Sequence, residues 1–423
     1  MAGKARRRFL KLAGTGLVAA PYLWRRDARA AGGRVVVIGG GAGGAVAARL
    51  LAAAGKGLDV TLVEPKTSYV TCFFSNLYIA GLRSLESLTH GYGVLSERHG
   101  VKVMHQVAVA VDPEKRTVRL SGGDTLAWDR LIVAPGIEFR WDAIDGYGPE
   151  AAETMPHAWQ AGGQTELLRR QLEAMEDGGT FLIAPPEDPY RCPSAPYERA
   201  SLVADYFMRE KPKSKIIVLD AKDDFPLQDL FEEAWSRFYP GMIEVLPAEF
   251  SGGIRAVDPA NMTVIADGEE FKVDVANVIP PQAAGRIAHQ ADLVDRRGWC
   301  PVNPVTFESS HRADIHVIGD AALASPMPKA AYSARQHARI CAEAVLEALS
   351  GERAEAGVLG GACWSHVAPG HAVRERAAFA VVGGALQRIE LDISPTGESD
   401  ETRAATARDG DDWYAGITAD IFG

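Results

Sequence analysis

Thiol chemistry is the most specific chemistry the residues of this chain offer. Its five cysteines are 72, 192, 300, 341 and 363, and an odd number leaves at least one unpaired or otherwise bonded. Their settings differ. Cys72 lies a short loop beyond Val60-Thr-Leu-Val-Glu64, Cys192 opens the loop Tyr190-Arg-Cys-Pro-Ser-Ala-Pro-Tyr-Glu198, and Cys363 stands in Ala362-Cys-Trp-Ser-His366. Cys341 sits beside Ala and Ile in a helical run, Ala330 to Leu349, and reads as a core residue; Cys300, in Gly298-Trp-Cys-Pro301, reads as structural. No C-x-x-C-H occurs, so the chain attaches no c-type haem itself, and no cysteine-histidine cluster has zinc spacing, so no metal is assigned. A thiolate is a nucleophile and a redox group, and what each can do depends on what the fold places beside it.

The elements that must position Cys72 are legible. Val35-Val-Val-Ile38 is a short apolar strand that enters Gly39-Gly-Gly-Ala-Gly-Gly44, a G-x-G-x-x-G on Gly39, Gly41 and Gly44, and then an Ala-rich helix, Ala45 to Ala54. Such a turn brings backbone N–H groups and a helix N-terminus up to a pyrophosphate. Val60 to Glu64 follows as a second strand, and the carboxylate of Glu64, twenty residues after Gly44, suits a ribose with a free 2′-hydroxyl. A dinucleotide cradle with a cysteine just past it suggests a flavin held at its phosphates, at its ribose and covalently at its ring.

Two distant segments favour FAD over NAD. Asp314-Ile-His-Val-Ile-Gly-Asp320 is an apolar strand ending in Gly319-Asp320. It resembles the segment of flavoprotein disulfide reductases whose aspartate meets the ribityl chain and which leads to a helix N-terminus near the flavin. Leu131-Ile-Val-Ala-Pro-Gly136 resembles the strand and turn by which such chains leave the FAD domain.

The chain has 423 residues, 47% hydrophobic and 24% charged, enough for two or three domains with substantial cores. Its first thirty residues differ in kind. Ala5-Arg-Arg-Arg-Phe-Leu-Lys11, a modest apolar stretch from Leu12 to Leu23 and Ala28-Arg29-Ala30 resemble a twin-arginine export signal with an A-x-A cleavage site. The expected location is the periplasm, where disulfides persist, and the apolar stretch is too short for a permanent membrane anchor. Removing residues 1–30 takes the formal charge from −10 to −17. So acidic a protein is a poor partner for nucleic acid or an anionic membrane surface.

A second nucleotide-like unit is recognisable by what it lacks. Gly179 to Ala184 and Ser214 to Asp220 look like its first two strands, but Ala184-Pro-Pro-Glu-Asp-Pro-Tyr190 stands where NAD(P)H-using chains carry glycines. Three prolines remove N–H donors, and Glu187 with Asp188 repels a pyrophosphate. No usual nicotinamide site is expected there.

The segments Val70-Thr-Cys-Phe-Phe-Ser-Asn76, Tyr190 to Glu198 and Cys363-Trp-Ser, with the ending Trp413-Tyr-Ala-Gly-Ile-Thr-Ala-Asp-Ile-Phe-Gly423, resemble the flavoprotein subunit of flavocytochrome c sulfide dehydrogenase across essentially the whole chain. The resemblance implies FAD joined through an 8α-S-cysteinyl bond at Cys72. It also implies a redox disulfide between Cys192 and Cys363, a proton-handling Glu198, hydrosulfide as substrate and a separate c-type cytochrome subunit as electron acceptor. The implied fold is α/β: two Rossmann-like domains of the flavoprotein disulfide reductase type plus a C-terminal α+β domain. The expected boundaries are 31–145 with 281–350 for FAD, 146–280 for the second Rossmann-like domain and 351–423 for the C-terminal domain. Trp364 and Trp413 are expected to pack beside the flavin or in the core. The rivals are a sulfide:quinone oxidoreductase, an NADH-dependent disulfide or persulfide reductase, and a non-catalytic FAD-binding carrier or assembly protein. The first fits poorly with the many carboxylates, among them Glu390, Glu398, Asp409 and Asp412, in residues 385 to 423.

Overall fold

The computed structural model describes residues 32–423, apart from residue 56 and residues 352–356. The expected export signal lies outside the described residues.

A five-stranded parallel sheet carries the first half of the site. Its order is Ile315–Val317, Arg130–Val133, Arg34–Ile38, Asp59–Val63 and Lys102–Met104. The strands are apolar because both faces are covered: Val35, Val37, Leu62, Leu131 and Val317 are all fully buried. Register decides function here. Ile38 lies level with Val63 and Val133, and Val317 level with Val133. Four parallel strands therefore release the glycine turn, Glu64, Ala134-Pro135-Gly136 and Gly319-Asp320 at one sheet edge, where doubly wound folds bind ligands.

A second parallel sheet, ordered Ile243–Leu246, Lys215–Leu219, Thr180–Ala184 and Val275–Val278, repeats the pattern. The chain leaves for it after Ile137–Phe139 and returns through Gln282–Ala284, and these two segments pair antiparallel. The sixteen-residue helix Ala195–Glu210 follows the proline loop. Beyond the second sheet the chain adds Ile315–Val317 to the first, then the helix Ala331–Ser350, which packs on Gly44–Ala53.

The C-terminal part is an antiparallel sheet of Leu359–Ala368, His371–Val382 and Ala385–Ile393, followed by the helix Asp400–Phe422. Ser399 caps that helix, its Oγ accepting from Thr402 N at 3.2 Å. The helix packs on the middle strand and on Gly44–Ala53, and its end inserts Phe422 against Tyr69, His90 and Tyr92. Among the described residues no helix is long and apolar enough to cross a membrane.

Candidate functional site

Each glycine of the cradle has its own reason. Gly39 has φ +101°, and a Cβ there would lie 2.2 Å from Ala134 O. A Cβ on Gly44 would lie 1.9 Å from Gly39 O, so helix and strand could not approach as they do. A Cβ on Gly41 would meet only the Tyr69 ring, at 3.5 Å, in the cavity both residues line. Glu64 braces the turn: Oε2 accepts from Gly40 N at 2.8 Å and Oε1 from Lys66 N at 3.0 Å. The resulting cavity, about 220 Å³, is lined by Gly39 to Gly43, Glu64, Pro135, Gly136, Gly319 and Asp320. A cradle kept open by the missing side chain at Gly41 and edged by two carboxylates fits an FAD pyrophosphate and its sugar chain.

Asp320 and the helix start at Ala331 both line this cavity, with ten residues of chain between them. The strand ends at Val317, Gly319–Ala321 forms a 3₁₀ turn, and the next helix begins only at Ala331. Pro326 and Pro328 keep the intervening chain out of helix, so no helix N-terminus follows Asp320 directly. The turn is instead held by Lys329, whose Nζ donates to Asp320 O at 2.7 Å and Ala322 O at 3.0 Å above the Trp299 ring. Burial pulls the Lys329 ammonium down to about 8, against the pull of Asp320. Burial also raises Asp320, while Arg191, 4.0 Å away, and Lys329 oppose that rise.

A second cavity, about 90 Å³, adjoins the first, and Cys72, Phe73, Arg191, Cys192 and Ala331 line both. Cys363, Glu198, Trp364 and Trp413 line the second one only. Loops and helices from both Rossmann-like halves thus meet a strand of the C-terminal sheet, Leu359–Ala368, at one place. The three cysteines there are unlinked thiols and neither buried outright nor fully exposed, whereas Cys300 and Cys341 are buried in the core. Burial pushes the Cys363 thiol up to about 12, with Glu375 and Glu198 adding to the shift. Burial also raises Cys192, joined by the Cys72 charge and opposed by Arg191. Phe74, Ala158 and Cys192 have φ of +68°, +46° and +55°, and all three line this cavity. Left-handed backbone at non-glycine residues costs about 1–3 kcal/mol each and is retained where the surroundings over-determine it.

Glu198 is anchored from two directions. Its Oε2 accepts from Asn76 Nδ2 at 2.7 Å and its Oε1 from His366 N at 2.9 Å. The orientation of the Asn76 amide is fixed by its other end, where Oδ1 accepts from Arg199 Nε at 2.9 Å. Arg199 is 2% exposed. Its remaining bonds go to Asn277 Oδ1 at 2.6 Å, Ala158 O at 2.8 Å and His157 O at 3.3 Å. Burial lowers it to about 9 and Glu198 counteracts. Burial, followed by the Arg199 and Arg191 charges, pushes His157 down to about 3.

At the corresponding edge of the second sheet, the groups a dinucleotide would meet are bonded to one another. Asp220, 1% exposed, accepts from Tyr197 OH at 2.5 Å and pairs with Lys222 Nζ at 2.6 Å. Lys222 Nζ also reaches Pro186 O in the proline loop at 3.2 Å, and Tyr197 stacks on Phe225 at 3.9 Å.

The structure therefore brings Cys72, Cys192, Cys363 and Glu198 to one cavity, and Gly39, Gly41, Glu64, Gly319 and Asp320 to its neighbour, with Gly44 packed behind the turn. Sequence reasoning did not single out Arg191, Arg199, Asn76 or Lys329. Arg199 had a signal, because it falls three and four residues before Leu202 and Val203, on the buried face of its helix. Asn76 had none, since its value depends on a helix 119 to 123 residues away.

The chain matches three family descriptions. Residues 165–280 match "sulfide dehydrogenase [flavocytochrome c] flavoprotein chain, central", residues 355–422 "flavocytochrome c sulphide dehydrogenase, flavin-binding", and residues 33–172 "pyridine nucleotide-disulphide oxidoreductase". A curated relative, the mitochondrial sulfide:quinone oxidoreductase of Mus musculus, is 24% identical over 275 residues; the match takes in 62% of this chain and only 59% of that relative's length. Among solved structures, the sulfide:quinone oxidoreductase from Aquifex aeolicus superposes with a TM-score of 0.73 at 17% identity, covering 92% of each chain. A NAD-dependent persulfide reductase from A. fulgidus gives 0.61 at 16% identity, over 89% of this chain and 77% of the other. At these identities the superpositions speak for the fold.

Proposed function

The chain belongs to the flavocytochrome c sulfide dehydrogenase flavoprotein family, and from that premise we propose that it oxidises hydrosulfide with FAD, through the thiol pair Cys192 and Cys363, and passes electrons to a c-type cytochrome subunit in the periplasm. The observation that carries this reading is the single cavity that Cys192, Cys363 and Glu198 line, opening beside the glycine cradle through Cys72 and Arg191.

The cradle residues would hold the cofactor as described, with Cys72 in place to form an 8α-S-cysteinyl thioether. When bound, FAD supplies an acceptor for an electron pair that can be released one electron at a time. The chain's own residues do the sulfur chemistry. With Cys192 and Cys363 joined as a disulfide, hydrosulfide attacks one sulfur; a new S–S bond forms, the cysteine–cysteine bond breaks, and the other sulfur leaves as thiolate. Glu198, fixed by Asn76 and the His366 amide, takes up the proton of the resulting persulfide. Phe73, Trp364 and Trp413 enclose the site and limit water, Trp364 lying 5.3 Å from Trp413. The internally bonded Asp220, Lys222 and Tyr197 support a reading without nicotinamide dinucleotide as electron source.

A quinone acceptor is the second reading, favoured by the likeness to sulfide:quinone oxidoreductases. The acidic C-terminal helix, with Asp400, Glu401, Asp409, Asp411 and Asp412, argues for a soluble partner over lipid. The test is peptide mass spectrometry of the exported protein after acid denaturation, then anaerobic sulfide titration followed in the flavin spectrum with cytochrome c or a soluble quinone present. FAD mass on the Cys72 peptide, bleaching by sulfide and cytochrome reduction are expected. Quinone reduction alone selects the second reading. An inert flavin rejects both and leaves a carrier or assembly role.

A further inference from the structure

We propose that Arg199 makes the thiol cavity an anion-attracting site, selective for small sulfur anions such as hydrosulfide over neutral thiols. The proposal deepens the function proposed above.

The argument rests on charge balance. Two arginines, Arg191 and Arg199, are among the residues that line the cavity with Cys192 and Cys363. Arg191 faces a carboxylate, Asp320, at 4.0 Å. Among the described residues Arg199 has no ion-pair partner: its four hydrogen bonds end on two side-chain amides and two backbone carbonyls, all neutral. The nearest acid in the chain, Glu198, is kept off it by the Asn76 amide, which donates to the carboxylate and accepts from the guanidinium. A structural arginine this deeply buried ordinarily acquires a carboxylate, because an unpaired charge in a poorly hydrated site is costly. Here the neutral acceptors and the Trp159 ring, 5.1 Å from the guanidinium carbon, fix the guanidinium, and Glu198 offsets its charge from beyond the Asn76 amide without a direct ion pair. The sixteen-residue helix that carries Arg199 begins at Ala195, and Pro193, Ser194 and Ala195 also line the cavity, so the positive end of its dipole adds the same sign. Glu198 in the cavity, and Glu375 near Cys363, oppose the field. Fields of this kind act strongly where water is scarce and raise the local concentration of a charged ligand.

The test compares two alkylating probes of similar size and opposite demand, iodoacetate, which is anionic, and iodoacetamide, which is neutral. Both consume the same thiolate, so the ratio of their rates cancels the thiol pKa and reports the field. The holoenzyme is reduced with a dithiol, freed of reductant anaerobically, and alkylated, with rates at Cys192 and Cys363 read from peptide masses. The expected iodoacetate:iodoacetamide ratio exceeds that of 2-mercaptoethanol in the same solution by about tenfold. Arg199→Lys keeps most of the excess and Arg199→Met removes it. Should the methionine variant fail to fold, Asn277→Asp, which sets a carboxylate against the guanidinium in place, is expected to lower the ratio. A wild-type ratio no higher than that of 2-mercaptoethanol overturns the proposal without any variant, as does an excess that survives both Arg199→Met and Asn277→Asp. Because the readout needs no sulfide, an inert flavin with a high ratio would reject the sulfide reading and keep the anion site; sulfide turnover with a low ratio would do the reverse.

Discussion

Replacing Gly41 and Gly44 by alanine, one at a time, separates a cofactor cradle from a turn that merely reverses the chain. At Gly44, the first residue of its helix, alanine is intrinsically better than glycine by about 1 kcal/mol. Against that stands a Cβ 1.9 Å from Gly39 O and 3.2 Å from Ala134 Cβ, with backbone as the obstacle. Relieving it means moving helix from strand by more than about 1 Å, and such overpacking costs about 1–3 kcal/mol or more. The clash wins, and Gly44→Ala is expected to destabilise the protein by about 1–2 kcal/mol net and to lose flavin as well. At Gly41 the new Cβ meets only the Tyr69 ring at ordinary contact distance, and the backbone is not in the left-handed region. Folding should be unchanged, or gain about 0.4–1 kcal/mol through a less flexible unfolded chain. The methyl group would nonetheless occupy the place where the pyrophosphate must approach the backbone. Gly41→Ala therefore keeps its denaturation midpoint while the ratio of flavin absorbance to protein falls at least tenfold. A Gly41→Ala protein with full flavin content would refute the cradle, and equal stability losses in the two variants would refute the distinction between them.

Other outcomes follow from the same geometry. Cys72→Ser should still copurify with flavin but release all of it on acid precipitation, whereas the unaltered protein retains it on the Cys72 peptide. NADH should leave the flavin spectrum unbleached over minutes, because Lys222, Tyr197 and the proline loop occupy one another's polar groups; bleaching at a catalytic rate would restore the nicotinamide-linked rival. His157 and His337 are each held by burial near 3, well below the ordinary value of 6.5. The unfolded chain takes up their protons first, so stability should be full above pH 6.5 and fall below it, by about 1.4 kcal/mol per histidine per pH unit until about pH 3. His337→Phe, which keeps the stacking on Phe307 at 4.3 Å, should flatten that slope in pH-dependent denaturation. Asn76→Asp sets a second carboxylate against Glu198, so the two share a proton and the pH optimum of sulfide-dependent bleaching should move; an unchanged profile would remove Asn76 and Glu198 from the proton path.

Local pattern carried far in this chain because four site segments are strand ends. An apolar run followed by glycines, an acid or Pro-Gly is readable residue by residue, and parallel register then aligns the ends without further information. The helical run read from Ala330 to Leu349 is likewise found at Ala331–Ser350, with Pro326 and Pro328 keeping the chain before it out of helix. Polar groups whose partners lie far along the chain were illegible. Asn76 looks like an ordinary residue in a five-residue helix, and only the approach of Ala195–Glu210 gives its amide two charged neighbours. Lys329 likewise reads as a surface lysine until Trp299 and the Gly319–Ala321 turn close over it.

The three left-handed residues around the thiol cavity come from three separate segments, at 74, 158 and 192, so no single turn motif accounts for them. Each is fixed from outside its own segment. Arg199 holds Ala158 through its carbonyl, Cys192 N donates to Lys329 O at 2.8 Å, and Phe74 packs on Trp413 and Tyr414 of the C-terminal helix. Tyr414 in turn is bound by Thr71 and by Ser87 O. Strain of about 1–3 kcal/mol per residue persists only while those contacts exist. The cavity is therefore a property of all three sheets together, and the C-terminal helix is part of what holds Phe73, Phe74 and hence Cys72 in place. Its removal should disturb the flavin attachment point even though the glycine cradle lies wholly in the first sheet.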